Sequence, residues 1–362
     1  MNDTRAVLIT GAAGYWGRRL ARRLLLEPGL RVVGLDKEVV PEPYAGISYL
    51  QSDLRHRDLP DLLAQADVDA ICHLSFQPAP VHSEASFERN VMGTINLFGA
   101  CAQAGVRKIV VKSSTAVYGA RHDNPAFLRE THPLRGSRHT GTVRHQMEIE
   151  HFCRKFPHTD PEARLTVLRF AHIVGPTADT RMTHFLREAG APVLLGFDPM
   201  MQFIHEDDVV EALAHALLTD VTGVFNVAAP PPLPLTRALA LAQKIPVVLP
   251  HPLAYWGATV APDVARYAPL PLDDLRYRCV ADTERMSEVL GFMPAITADE
   301  ALRMFDAGSG HRLLAAIVEQ AVNQGEQLRR WLEKQRSGGQ PQEAPQEAPQ
   351  EAPQETPRED AE

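Results

Sequence analysis

The 362-residue chain is poor in cysteine: Cys72, Cys101, Cys153 and Cys279 are scattered, with neither a CxxC pair nor any other metal-ligand spacing. That pattern excludes a disulfide-built fold and a bound metal, and predicts reduced, mostly buried thiols. Long apolar runs are missing too, since none approaches the roughly 18 residues of a membrane span. With 44% apolar and 23% charged residues, a soluble globular protein is expected. The opening MNDTRAVLITG lacks the basic and apolar segments of a secretory signal, so a cytoplasmic location is expected. Excess positive charge is absent. The net charge is −8, but Ser337 to Glu362 sets seven acids against Arg358 alone and carries −6, leaving −2 for the remainder. A nearly neutral folded part without a basic face excludes nucleic acid as the expected partner.

What is present is a rhythm. Short β-branched runs, AVLIT (6–10), RVVGLD (31–36), ISYLQ (47–51), DAICHLS (69–75), KIVVKSS (108–114) and LTVLRF (165–170), alternate with helix-length segments such as YWGRRLARRLLLE and SFERNVMGTINLFGACAQAG. Such βαβ alternation predicts an α/β fold, a Rossmann-type doubly wound parallel sheet over residues 1–175. Its ligand belongs at the C-terminal ends of the strands. Residues 176–310 are irregular and proline-rich and are expected to form a smaller substrate lobe, interleaved with the first domain. Residues 311–336 carry apolar side chains at spacings of three to four, the pattern of an amphipathic helix. Residues 337–362 repeat the unit PQEA and lack the apolar surface needed to order them, so a disordered acidic tail is expected.

The first strand runs into TGAAGYWG, Thr10 to Gly17, which opens a helix. Gly11 permits a tight turn, Gly14 lets backbone approach a pyrophosphate, and Gly17 lets the helix lie close to the sheet, with phosphates at the helix N-terminus. Tyr15 and Trp16 complete this cofactor-binding candidate. The second strand ends in Asp36, 19 positions after Gly17. A carboxylate there accepts ribose hydroxyl hydrogens and repels a 2′-phosphate, which favours NAD over NADP, although Lys37 follows it.

TGAAGYWG, Asp53-Leu54, HLSFQPAP, NVMGTINLFGACAQAGVRKIVVKSSTAVYG, LRFAHIVGP and MQFIHEDDVVEAL together resemble the extended short-chain dehydrogenase/reductases of the NAD-dependent epimerase/dehydratase type, over roughly residues 5–305. The resemblance implies that Asp53 and Leu54 border the adenine and that Leu74 and Ser75 line the cofactor. It implies Ser114 as the active-site serine and places His172 beside the nicotinamide. Asn90 would sit on the helix that often forms half of a dimer interface, so a homodimer is expected; a helix-stabilising role is the alternative.

The same resemblance exposes a gap. The family has a tyrosine roughly 25 residues after the serine and a lysine four positions later. One helix face carries both, and the lysine's charge helps lower the tyrosine pKa from about 10. Between Tyr118 and Phe152 this chain has no further tyrosine. The pattern QMEIE aligns Thr142 with the tyrosine and Gln146 with the lysine; a second register places Thr140 and Arg144 there. A threonine hydroxyl is a far weaker acid than a phenol, and glutamine brings no charge. Histidine is the candidate substitute, and His139, His145 and His151 lie in the region. His139 stands 25 residues after Ser114; the alternative is that all three are solvated surface histidines. Tyr118 belongs to the VYG turn and is expected to shape the substrate side. His205, Asp207 and Asp208 are expected to fix the lobe junction and cap a helix. Arg276 and Arg278 are candidates for an anionic substrate group or for structural ion pairs.

Two functions follow. One is an NAD-dependent oxidoreductase, epimerase or dehydratase acting on a nucleotide sugar or another hydroxyl-bearing small molecule, with His139 or a water held by Thr142 carrying the proton. The other is a catalytically inactive dinucleotide-binding sensor or scaffold.

Overall fold

Each of the six β-branched runs becomes a strand: Arg5–Thr10 (β1), Leu30–Asp36 (β2), Ile47–Gln51 (β3), Ala70–His73 (β4), Lys108–Ser114 (β5) and Arg164–Phe170 (β6). The structure is a computed structural model that describes residues 5–40, 43–137, 140–188, 190–252 and 270–305. The six strands are parallel in the order β3-β2-β1-β4-β5-β6, so the chain reverses direction across the sheet between β1 and β4. That switch point is where a doubly wound sheet opens a ligand crevice.

Helices cover both faces. Tyr15–Leu24 (α1) presents Leu20, Ala21 and Leu24 to the sheet and turns its arginines outward. Leu59–Gln65 (α2), Glu84–Phe87 (α3), Gly93–Ala104 (α4) and Gly141–Thr159 (α5) follow. The predicted helix through SFERNVMGTINLFGACAQAG is broken by a π turn, Glu88–Met92, between α3 and α4. Leu63, Leu97, Phe98, Ile149 and Phe156 of α2, α4 and α5 pack on Leu8, Ile71, Ile109 and Val167. Burying each such leucine contributes about 1.5–3 kcal/mol.

The second half is not wholly separate. Arg181–Arg187 (α6) and Glu206–Leu218 (α7) are helices, and His172–Val174 (β7), Ala191–Leu194 (β8), Met200–His205 (β9) and Gly223–Val227 (β10) are strands. β10 pairs with β6 and completes the sheet as a seventh parallel strand. α7 packs its Val209, Leu213 and Leu217 beside Leu20 and Leu24 on the face opposite α2, α4 and α5. The remainder forms the smaller lobe. Ala229–Pro234 (β11) pairs antiparallel with β9, which pairs parallel with β7, while Pro246–Leu249 (β12) pairs with β8. Leu235–Leu241 (α8), Glu284–Glu288 (α9) and Ala298–Met304 (α10) complete the described elements, α8 and α10 around a core of Phe185, Phe203, Leu239 and Leu302.

The described residues all fall within one compact unit, Met1–Gly310, the larger part of the chain. The predicted helix 311–336 and tail 337–362 lie outside the described residues. Among the described residues, no helix is long and apolar enough to cross a membrane, and no His, Cys, Asp and Glu group could hold a metal. Cys72, Cys101 and Cys153 are buried free thiols, and Cys279 is partly exposed.

Candidate functional site

At the switch point the chain turns from β1 into α1 through the glycine loop. Gly11 adopts φ +71°. A Cβ on it would stand 2.9 Å from backbone atoms of Leu74 and Ser75, and one on Gly17 only 2.2 Å from the Gly11 carbonyl oxygen. Close approach of loop, helix and strand is thus why these two positions are glycine. Gly14 is the N-cap of α1; it offers no side-chain cap, and no acid occupies the first turn. The first-turn amides of a helix lack carbonyl partners and carry a partial positive charge, a ready-made seat for phosphate.

The loop is held from beneath. Asp36 Oδ2 accepts a hydrogen bond from Ala13 N–H at 2.9 Å. Thr10 Oγ1 lies 2.8 Å from His73 Nδ1 and accepts from the amides of Leu74 and Ser75 at 3.1 and 3.2 Å. His73 Nε2 lies 2.9 Å from Thr94 Oγ1, whose hydroxyl donates to the Asn90 carbonyl. Because Thr94 has spent its proton, His73 donates from Nε2 and accepts at Nδ1. Burial pushes its pKa down to about 4, consistent with a neutral ring.

Gly11, Gly14, Asp36, Asp53, Leu54, Leu74 and Ser75 line one groove along this edge of the sheet, joined by Lys37, Phe76, Gln77 and Arg89. The Arg55 guanidinium bonded to Asp53 holds its carboxyl down at about 2. Tyr15 and Trp16 do not line the groove. The Tyr15 phenol donates to Glu206 and accepts from Arg19, and burial followed by Glu206 pushes its pKa up to about 12. Trp16 faces the core beside α7.

A second pocket lies at the end of β5. Ser114, His172, Asp274 and Tyr277 line it, with Ala116, Met200, Met201 and Cys279. Ser114 Oγ accepts from Ala116 N–H at 3.2 Å and so caps the turn that follows β5. Burial pushes the His172 imidazole down to about 4, with Arg181 adding to the effect. Burial pushes the Asp274 carboxyl up to about 6, opposed by Arg181. A carboxyl that titrates there can give or take a proton near neutral pH. Asp274 and Tyr277 carry no sequence signal beyond the segment LDDLRYR, in which the arginines alone point to a ligand. Arg276 packs its guanidinium over Phe197 and Tyr277 at 5.1 and 4.8 Å, and Arg278 donates to the Asn124 carbonyl.

The helix α5 stands where the resemblance places the catalytic pair. The Thr142 hydroxyl donates to the Ala79 carbonyl at 3.1 Å and accepts from the Ala79 amide at 2.8 Å, so it is committed to backbone in both directions. Half-buried Gln146 makes no side-chain hydrogen bond among the described residues. His139 lies outside the described residues. His145 departs from the surface-histidine expectation: it is fully buried, with Nδ1 3.2 Å from Asn90 Nδ2 and Nε2 3.1 Å from His82 Nδ1. Burial, reinforced by His82, holds its pKa down at about 4. Asn90 is itself buried in the π turn and bonds both backbone groups of Gln77.

The VYG turn is structural. Tyr118 accepts from Arg169 at 2.6 Å and donates to Asn226 at 2.7 Å, at 1% exposure. Arg169 and Glu150 form a fully buried pair that also takes the Ser113 hydroxyl, binding α5 to β5 and β6. His205 caps α7 by accepting from Asp207 N–H, and Asp208 accepts from the amides of Ala295 and Ile296, joining the lobes.

The comparisons with known proteins fit this geometry. Residues 7–228 match the model of the NAD dependent epimerase/dehydratase family. An uncharacterized protein of Mycobacterium tuberculosis strain H37Rv is 31% identical over 319 residues, which cover 84% of each chain. UDP-glucose 4-epimerase 3 of Oryza sativa subsp. japonica is 31% identical over 189 residues, 47% of this chain and 49% of the rice protein. Among solved structures, MoeE5 in complex with UDP-glucose and NAD superposes with a TM-score of 0.63 at 25% identity, covering 83% of this chain and 96% of that one. The UDP-glucose 4-epimerase of Thermus thermophilus, in complex with NAD, shares the fold with a TM-score of 0.63 at 23% identity, over 83% and 97% of the two chains. The family match over residues 7–228 and a relative 31% identical over 84% of the chain lead to one conclusion: this chain belongs to the NAD dependent epimerase/dehydratase family.

Proposed function

We propose that the protein binds NAD in the groove between Gly11 and Arg89 and oxidises a hydroxyl-bearing small molecule, of the nucleotide-sugar class, held beside Ser114. The groove fits the dinucleotide on its own terms: side chains are excluded at Gly11 and Gly17, an uncapped helix N-terminus faces phosphate, and Asp36 suits an unphosphorylated ribose. When bound, the nicotinamide supplies the hydride acceptor. UDP-sugars enter the reading through MoeE5, a relative whose structure holds UDP-glucose and NAD.

The observation that carries the chemistry is the company of Ser114. The family's phenol is absent and the Thr142 hydroxyl is spent on Ala79, whereas Asp274 shares a pocket with Ser114 and titrates at about 6. In this proposal Ser114 orients the reacting hydroxyl, Asp274 as carboxylate takes its proton, and Tyr277 and His172 hold neighbouring polar groups of the ligand. His139 is the competing proton carrier. Replacing each separately, Asp274→Asn and His139→Ala, and measuring NAD reduction by UDP-sugars decides between them. Loss of the pH dependence near pH 6 in Asp274→Asn supports Asp274; an unchanged profile there with loss in His139→Ala sinks it.

The alternative reading, a dinucleotide-binding sensor without turnover, is favoured by the uncharged Gln146 and the committed Thr142. It predicts saturable NAD binding with no hydride transfer from any sugar nucleotide tested. Both readings take the protein as a cytoplasmic homodimer, an assembly that the resemblance alone implies, since Asn90 itself is buried against Gln77 and His145. Sedimentation at micromolar concentration tests the assembly, and a monomer there would refute it.

A further inference from the structure

Lys112 stands where a core side chain belongs. It lies on β5 two residues before Ser114, so by strand alternation it shares a sheet face with Ser114 and with Val110, which is buried under α1 and α7. Its ammonium sits 5.0 Å from the centre of the Trp16 ring and 6.0 Å from that of Phe170. Trp16 belongs to the first turn of α1 and Phe170 ends β6, so α1, β5 and β6 converge on this one charge.

No carboxylate answers it. Lys112 makes no hydrogen bond or ion pair among the described residues; its neighbours there are the two aromatic faces. The acids of neighbouring elements are engaged elsewhere. On α7, Glu206 binds Tyr15, Thr177 and Arg19, Asp207 binds Arg19, Glu211 binds Arg23, and Asp208 takes the amides of Ala295 and Ile296. On β6, Arg169 is paired with Glu150 on the opposite face. On β4 the neighbour is Cys72, a buried thiol whose pKa burial pushes up. The positive end of α1 adds to the imbalance, with no acid in its first turn. Two aromatic faces attract a cation but do not neutralise it. Lys112 as a residue is half-buried rather than sealed.

We infer that Lys112 is an anion site that completes the cofactor cleft from beneath, supplying to phosphate oxygens of the dinucleotide a positive charge that α5 of this chain does not carry. The inference rests on the proposed NAD binding but adds a residue that the glycine loop does not predict. Burial lowers the Lys112 pKa to about 8, so in the free protein the charge is present at neutral pH and lost above it. A bound anion raises that pKa again, and anion affinity therefore falls as the pH rises through about 8.

Calorimetric titration of the full chain with NAD and, separately, with inorganic pyrophosphate tests this. Lys112→Met is expected to weaken both about tenfold or more, while Lys112→Arg retains binding within about threefold. Wild-type affinity is expected to fall between about pH 7 and pH 9, and that of Lys112→Met to stay level. Removing a buried charge leaves the melting temperature of Lys112→Met at or above that of wild type, which separates loss of an anion site from misfolding. Equal binding by Lys112→Met and wild type, or the same pH dependence in both, overturns the inference. Pyrophosphate binding that depends on Lys112, without NAD binding, keeps the anion site and overturns the cofactor reading. A wild-type protein that binds neither overturns both.

Discussion

At the scale of single residues, the site is decided by what each atom has left to offer. A Cβ at Gly17 has nowhere to go, because the atom it meets is a backbone oxygen at 2.2 Å. Gly17→Ala is expected to cost about 1–3 kcal/mol and to weaken NAD binding, measurable by chemical denaturation and calorimetry on one sample. Thr142 has its hydroxyl committed to Ala79. Thr142→Val should therefore lower stability by about 1 kcal/mol with NAD affinity unchanged, whereas a loss of turnover with stability intact would return the residue to the chemistry. Asp274 carries a pH signature. Its folded pKa lies above the ordinary 3.8, at about 6, so its ionised form costs stability; the cost is absent below the lower value and complete above the higher. Asp274→Asn should match wild type in acid and gain in melting temperature relative to it as pH rises through that window. The gain is small, because the group is only partly buried. The glycines and the missing phenol are legible in the sequence, since both are fixed by local spacing. Asp274 is not, because the 274 − 114 = 160 positions between it and Ser114 are closed only by the fold.

At the scale of elements, α5 is the clearest case of a structure half legible in advance. Its place and its acidic pattern are readable from QMEIE; its anchor is not. Glu150 in that pattern meets Arg169, a residue inside a strand that reads as apolar, and the pair is sealed at 2% and 0% side-chain exposure. Removing one partner, as in Glu150→Ala, strands the other charge and should cost about 3–5 kcal/mol in urea unfolding. The double variant Glu150→Met with Arg169→Met should recover most of that loss, since apolar pairs of similar volume replace buried ion pairs well. If the double variant is no more stable than the single one, the pair does more than neutralise itself. The π turn Glu88–Met92 is equally invisible, because its helix-forming residues give no hint of the extra residue per turn that seats Asn90 against Gln77 and His145.

At the scale of the whole molecule, the parallel sheet is legible because buried parallel strands are apolar runs bounded by turns. The strands of the second half are not, because β11 is spelled APPPLP, which does not look like a strand, and because no local signal marks β10 as the strand that completes the first sheet. A fragment ending at residue 175 would lack β10 and α7 and is expected to show no cooperative melting, whereas residues 1–310 match the larger compact unit and should melt like the full chain. Function at this scale depends on the groove at the switch point. Its most direct test is calorimetric titration of the full-length protein with NAD and NADP. Saturable NAD binding, about tenfold or more tighter than NADP and weakened in Gly17→Ala, is the predicted result. No saturable binding of either dinucleotide, or equal binding by the Gly17→Ala variant, would contradict it.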